Sequence, residues 1–187
     1  MKTPLSLLLT CALLFPQLGC KSNTTDRLVV SLGAVSAASA VAIAVAMSLE
    51  ADEAIDSVTA TRIVTYSQAV SLATSKAISE LGADETDRMK ILKITAIFAA
   101  VPPVVIGDED PKAAAVIQAI QVAVETLLAQ LTAASKAVPA AATPAQAALT
   151  KEHLAELAKI DAQARRAVTV ASRWSPAHPL LAAGYMK

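Results

Sequence analysis

Lys112-Ala-Ala-Ala-Val116-Ile117-Gln-Ala-Ile120-Gln-Val-Ala-Val124-Glu-Thr-Leu127-Leu-Ala-Gln-Leu131-Thr-Ala-Ala134-Ser-Lys-Ala137 decides the fold class. Ile117, Ile120, Val124, Leu127, Leu131 and Ala134 follow one another in steps of three and four. At 3.6 residues per turn, that spacing sets all six on one helical face. The stripe runs over almost three heptads. It suits a core helix of a bundle and, less well, a seam between two copies.

The same periodicity recurs on either side. In Ser57–Leu81 it is carried by Ile63, Tyr66, Val70, Ala73, Ala77 and Leu81, and Gly82 is expected to close that helix as a left-handed cap. Asp84-Glu85-Thr86-Asp87 offers caps and first-turn acids for a helix to about Ala100, with Ile91, Ile94, Phe98 and Val101 on one face. Pro102-Pro103 ends it, and Val104-Val105-Ile106 reads as an extended bridge. In Gly107-Asp108-Glu109-Asp110-Pro111, Asp110 as N-cap and Pro111 at the first helical position explain the residues better than a cation site does. Pro139 to Pro144 is a linker, after which a last helix starts at Pro144 or Thr150. Its inward face is read as Leu154, Leu157, Ile160, Ala164, Val168 and Ala171. Arg165, Arg166 and Arg173 lie near its C-terminus, where the helix dipole favours positive charge. They are read as solvated, with anionic headgroups or the acidic stretch Glu50–Asp56 as alternative partners.

Leu28–Leu49 has no charge between Arg27 and Glu50. Its length would cross a bilayer. Seven alanines, four serines and Gly33 dilute its hydrophobicity. Small residues recur four apart at Gly33 and Ala37 and at Ser36, Ala40, Ala44 and Ser48, a spacing that lets helices approach closely. The favoured reading is the central buried helix of a bundle, and the alternative is a membrane-inserting, self-associating helix. The alternation Val41, Ile43, Val45, Met47, Leu49 would also suit a strand, but the intervening alanines favour helix.

The expected fold is therefore all-α: an alanine-rich helical bundle of about four to five helices after an N-terminal signal peptide. Residues 28–173 form the bundle and 174–187 an irregular tail, from which Trp174 or Tyr185 would dock on the bundle or at a membrane interface. Once Lys2 is removed, 15 Lys+Arg face 16 Asp+Glu. Without a basic face there is no footprint for nucleic acid. Aromatics are 3% of the chain, too few for base-stacking platforms.

The first twenty residues direct location. Lys2 precedes Leu5–Phe15, a mostly apolar, uncharged run. At about eleven residues it is shorter than the roughly 20 that a spanning helix needs, and it fits the core of a secretory signal peptide. Pro16 stops it, and Leu18-Gly19-Cys20 follows. This resembles the lipobox of bacterial lipoproteins, although Gln17 stands where that class usually has a branched apolar residue. The resemblance implies a signal peptide over 1–19, cleavage between Gly19 and Cys20, and acylation of the Cys20 thiol. Lys21, not aspartate, follows the cysteine, which resembles the pattern sent on to the outer membrane, facing the periplasm. Residues 20–27 would form the lipidated tether, and the lipid bilayer would be the first partner. Cys11 would leave with the signal peptide, so the mature domain would have no free thiol and no disulfide.

No motif for catalysis, a cofactor or a metal is found. Glu50, Asp52, Glu53 and Asp56 could share a cation, but no ligand histidine or Asp-x-Asp-x-Asp-Gly loop accompanies them, and a solvated turn is the simpler reading. His153 is read on a solvent face and His178 in the tail. No Glu-x-x-His pair, His-Glu-x-x-His, Gly-x-Ser-x-Gly or phosphate-binding glycine loop occurs. The expectation is a non-enzymatic envelope lipoprotein with an envelope-protein partner. A membrane-active protein and a concealed enzyme or ligand binder are the alternatives.

Overall fold

The chain assembles around Thr24–Ala51, here α1, which packs against three other helices. The computed structural model describes residues 24–83, 85–104, 111–137 and 149–174. They form α1, α2 (Ser57–Leu81), α3 (Asp87–Ala99), α4 (Pro111–Ala137) and α5 (Lys151–Trp174), with no strand among the described residues. The all-α bundle of four to five helices is the fold. The signal peptide, Gly19, Cys20 and residues 175–187 lie outside the described residues. Residues 24–27, read from sequence as tether, form the first turn of α1, and Trp174 closes α5 rather than opening the tail.

α1 buries Leu28, Leu32, Val35, Ser39, Ala42 and Ala46, with Val29, Ser36 and Ile43 alongside. These repeat in steps of three and four, so the charge-free segment is helical and central. Contacts between side chains set the direction of its neighbours. Ser39 meets Ser71 of α2, and Ser31 near the start of α1 meets Gln130 near the end of α4. Asp26 meets His153 at one end of α5, while Ile43 and Met47 meet its Ala167–Val170 stretch at the other. α1 and α5 therefore run parallel, and α2 and α4 run against them. α3 packs on α2 and α4. α2 bridges α4 and α5, which are not a packed pair, so the ring around α1 is open on one side.

The a/d seam of α4 is the core as read: Ile117, Ile120, Val124, Leu127, Leu131 and Ala134 are all buried. Each large side chain among them contributes about 1.5–3 kcal/mol by leaving water. The predicted faces of α2 and α3 are buried as well, except that Val101 is half-buried. Burial pushes the Tyr66 phenol above its ordinary pKa, and the Glu125 charge adds to the effect. Buried hydroxyls are satisfied. Ser39 and Ser71 share a 3.0 Å hydrogen bond, Ser36 donates to the Ile160 carbonyl, and Ser67 and Thr74 donate to the carbonyls of Ile63 and Val70 four residues back.

Two backbone features differ from expectation. Gly82 is not a left-handed cap: its φ is −79°, and its N–H bonds the Ile78 carbonyl. The left-handed residue is Glu53, at φ 54°, just beyond α1. Glu53 N–H bonds Glu50 O at 2.9 Å and Ala54 N–H bonds Leu49 O at 2.8 Å. That is the paired pattern of a Schellman cap, with a glutamate where glycine is favoured. Asp56 then caps α2, its Oδ1 accepting from Thr59 N–H at 2.6 Å. This bond, ahead of all other influences, holds the Asp56 carboxyl below its ordinary 3.8.

Two expectations follow for equilibrium urea denaturation. Gly82→Ala and Glu53→Gly both stabilise the fold, each by about 0.5–1 kcal/mol: the first restricts only the unfolded chain, and the second relieves a strained φ. A Cβ on Gly82 would meet nothing nearer than 3.6 Å. Asp56→Ala costs about 1 kcal/mol at neutral pH. Because the folded-state pKa is depressed, that contribution is present above the ordinary 3.8 and fades as pH falls through the folded value. The gap between wild type and Asp56→Ala therefore narrows under acid.

Candidate functional site

Among the described residues, a shallow apolar groove lies between the C-terminal halves of α1 and α5. Ala40, Ile43, Ala44 and Met47 form its α1 wall. Gln163, Arg166, Ala167 and Val170 form the α5 wall, and the groove, open to solvent, has a volume of about 460 Å³. The small side chains on both walls leave the depression: alanines facing one another cannot fill the gap between parallel helices. Arg166 is the single charged lining residue and Gln163 the single amide. Among the described residues, no carboxylate, thiol, hydroxyl or imidazole lines it, so these walls suit an apolar chain rather than a polar reactant. The groove adjoins the open side of α1, where Val30 (48% exposed) and Val41 (41%) face outward with Ala44 and Ser48.

The phase of α5 explains how the groove is placed. The buried stripe is Leu157, Ile160, Ala164, Ala167 and Ala171. Leu154, read from sequence as inward, is 51% exposed, and Val168 is half-buried. The stripe extends back to His153 and forward to Trp174, which packs half-buried against the core. His153 thus holds the seam position assigned by sequence to Leu154.

His153 is not on a solvent face. Its N–H bonds Thr150 Oγ1 at 3.2 Å, and its Nδ1 accepts from Thr150 N–H at 3.2 Å. This reciprocal pair is a capping box with histidine in place of glutamate, and it starts the helix at Thr150 rather than Pro144. With Nδ1 accepting, Nε2 carries the proton and donates to Asp26 Oδ1 at 2.5 Å, tying the first turn of α5 to that of α1. The dyad is a clamp between helix ends. Elsewhere on α5, Asp161 accepts from Ser75 of α2 and from Arg165 Nε.

Among the sequence candidates, Gly19 and Cys20 lie outside the described residues, as does His178. Glu50, Asp52, Glu53 and Asp56 come together at the α1–α2 turn, where Glu53 and Asp56 have the capping roles given above. Among the described residues, no group of three or more His, Cys, Asp or Glu is placed to hold a metal ion. At the α2–α3 turn Lys93 bridges Glu80 (3.3 Å) and Glu85 (2.5 Å), and these bonds, Glu85 first, raise its pKa.

The seam assignment is checked by paired truncations. His153→Ala removes the reciprocal cap and the bond to Asp26, and is expected to cost about 1–2 kcal/mol. Leu154→Ala removes an exposed side chain and is expected to cost less than about 0.5 kcal/mol. Chemical denaturation of the two variants would reverse that order if the sequence-based phase were right.

No family model matches this chain. No curated protein and no solved structure matches it.

Proposed function

We propose that this chain is a non-catalytic helical lipoprotein of the bacterial cell envelope, anchored by acylated Cys20 and serving a structural or protein-interaction role. The observation that carries the reading is Leu18-Gly19-Cys20 behind Leu5–Phe15, only four residues before α1 begins at Thr24. Cleavage between Gly19 and Cys20 would leave the lipid next to the first helical turn. Two or three acyl chains on one residue would hold effectively permanently, since each buried methylene contributes about 0.8 kcal/mol. Lys21 after the cysteine favours the outer membrane, with the bundle facing the periplasm. An apolar groove and an open α1 face without catalytic groups support contact with another envelope protein over chemistry.

A second reading has a specific observation behind it. α1 and α4 are both long and apolar enough to cross a membrane by length and composition. On that reading α1 would leave the bundle and insert. The interhelical bonds of Ser36 to the Ile160 carbonyl and of Ser39 to Ser71 speak for the first reading: both would be lost if α1 left the bundle for hydrocarbon.

Carbonate extraction of membranes, with intact-mass analysis, separates the two. The lipoprotein reading expects a mature chain starting at Cys20 with added acyl mass, and Cys20→Ala appearing in the extracted supernatant. If Cys20→Ala stays in the pellet, the lipid is not the anchor and the inserted-helix reading takes its place.

A further inference from the structure

We propose that the open face of α1 pairs antiparallel with the same face of a second copy of this chain. The inference names a partner for the protein-interaction reading above and does not depend on acylation at Cys20.

The first argument is the register of the face. Arg27, Val30, Ala34, Ala37, Val41, Ala44, Ser48 and Ala51 follow one another in steps of three and four. They share the side of α1 that α2, α4 and α5 leave open, and all but the half-buried Ala34 and Ala37 are exposed. The spacing of the row is symmetric about position 39. Laid antiparallel on itself, it sets Arg27 against Ala51, Val30 against Ser48, Ala34 against Ala44 and Ala37 against Val41. A two-fold axis through the middle then repeats each pair, as a closed dimer requires. Between the ends the side chains are alanine, valine and serine, which let two helix backbones approach closely along the whole row.

The second is charge. The row has no charge between Arg27 and Glu50. Arg27 stands at one end, and Asp52 and Glu53, both exposed, lie just past the other. Antiparallel pairing brings Arg27 of each copy beside the carboxylates of the other, at both ends of the contact. A bond of Arg27 within its own chain leaves that match of sign in place. Parallel pairing would set Arg27 on Arg27 and acid on acid, a juxtaposition that suppresses a wrong arrangement. The charges thus select a second copy of this chain, and the antiparallel direction.

The third is size. From Arg27 to Ala51 the row is about 36 Å long, and a helix is about 10–12 Å wide. Two such strips remove about 700–900 Å² from water, and the α5 groove wall beside Ala44 adds to it. That is the range of weak, reversible contacts, so the pair forms and separates.

The test uses the full chain with p-benzoylphenylalanine in place of Ser48, irradiated in membranes of the producing cells. Cross-linked peptides are mapped by tandem mass spectrometry. The expected product is a covalent dimer linked from position 48 of one copy to Arg27–Ala34 of the other. Val30 and Ser48 lie about 27 Å apart along one α1, so that link forms only between copies. A dimer linked to Val45–Ala51 would show parallel pairing. Cross-links only to another protein would leave the interaction reading in place without this partner, and cross-links only to lipid would favour an inserted α1. Each of these overturns the proposal, as does the absence of a covalent dimer. Charge exchange is the companion measurement. Arg27→Glu is expected to lower the dimer yield about fivefold, because an exposed pair is lost at both ends of the contact. Adding Asp52→Lys is expected to restore at least about half of the loss, since the signs again match. An unchanged yield in Arg27→Glu, or no recovery in the double variant, would also overturn the proposal.

Discussion

The bundle depends on one constraint: α1 has no charged residue between Arg27 and Glu50, so water must be kept from most of its circumference. α2, α4 and α5 each cover one side of it. A helix with such a sequence is ambiguous alone, since the same residues suit hydrocarbon. Its hydroxyls decide how it pairs. Ser31 is bonded to Gln130 of α4, Ser39 to Ser71 of α2, and Ser36 to the Ile160 carbonyl of α5, one serine for each neighbour. A one-residue rotation of α1 would break these links between helices, although Ser39 would keep its bond to the Ser36 carbonyl within α1. The serines thus fix the phase of a helix whose alanines and valines would tolerate several.

Small side chains have a second consequence. Alanine adds helix propensity and little volume, so helices rich in it pack by closeness rather than by interdigitation. Gly33 illustrates the limit: a Cβ there would sit 3.5 Å from Ile160, an ordinary contact, so the α1–α5 spacing is not set by the glycine. Farther along the same pair, no large residue crosses the gap, and the groove results. The stretch that the four-residue small spacing marked for close approach is partly a place where the helices leave space.

What was legible in the sequence follows from side-chain size. α4 declared its seam because isoleucine, valine and leucine alternate with glutamine, threonine and alanine, so the phase is unambiguous. α5 did so only in part: Leu157, Ile160, Ala164 and Ala171 are buried as read, but the small Ala167 and the polar His153 weigh little against Leu154 and Val168. The larger residues pulled the reading one position away. His153 was misplaced for a related reason: beside Glu152 and before Glu156 it looks solvent-facing, and only the fold brings Asp26 to it. The Gly82 expectation failed because a glycine after a helix permits a left-handed turn without requiring one. Glu53 shows the converse, since nothing in its side chain signals that conformation. The groove was not legible at all, being built from residues more than a hundred positions apart. Cys20 is the opposite case, a local pattern read entirely from sequence.

The proposed acylation at Cys20 would make the geometry of α1 consequential. Twenty-eight helical residues extend about 42 Å from the tether. The Asp26–His153 clamp joins the first turns of the two parallel helices, the end nearest Cys20 in the chain. The groove, the open C-terminal half of α1 and the acidic α1–α2 turn lie toward the other end. Load applied by the anchor would enter through the clamp and pass into both α1 and α5, instead of peeling α1 from its neighbours. Under the proposed anchoring, the two parallel helices would divide the labour: the clamped end would bear the attachment, and the least filled contact between them lies at the far end.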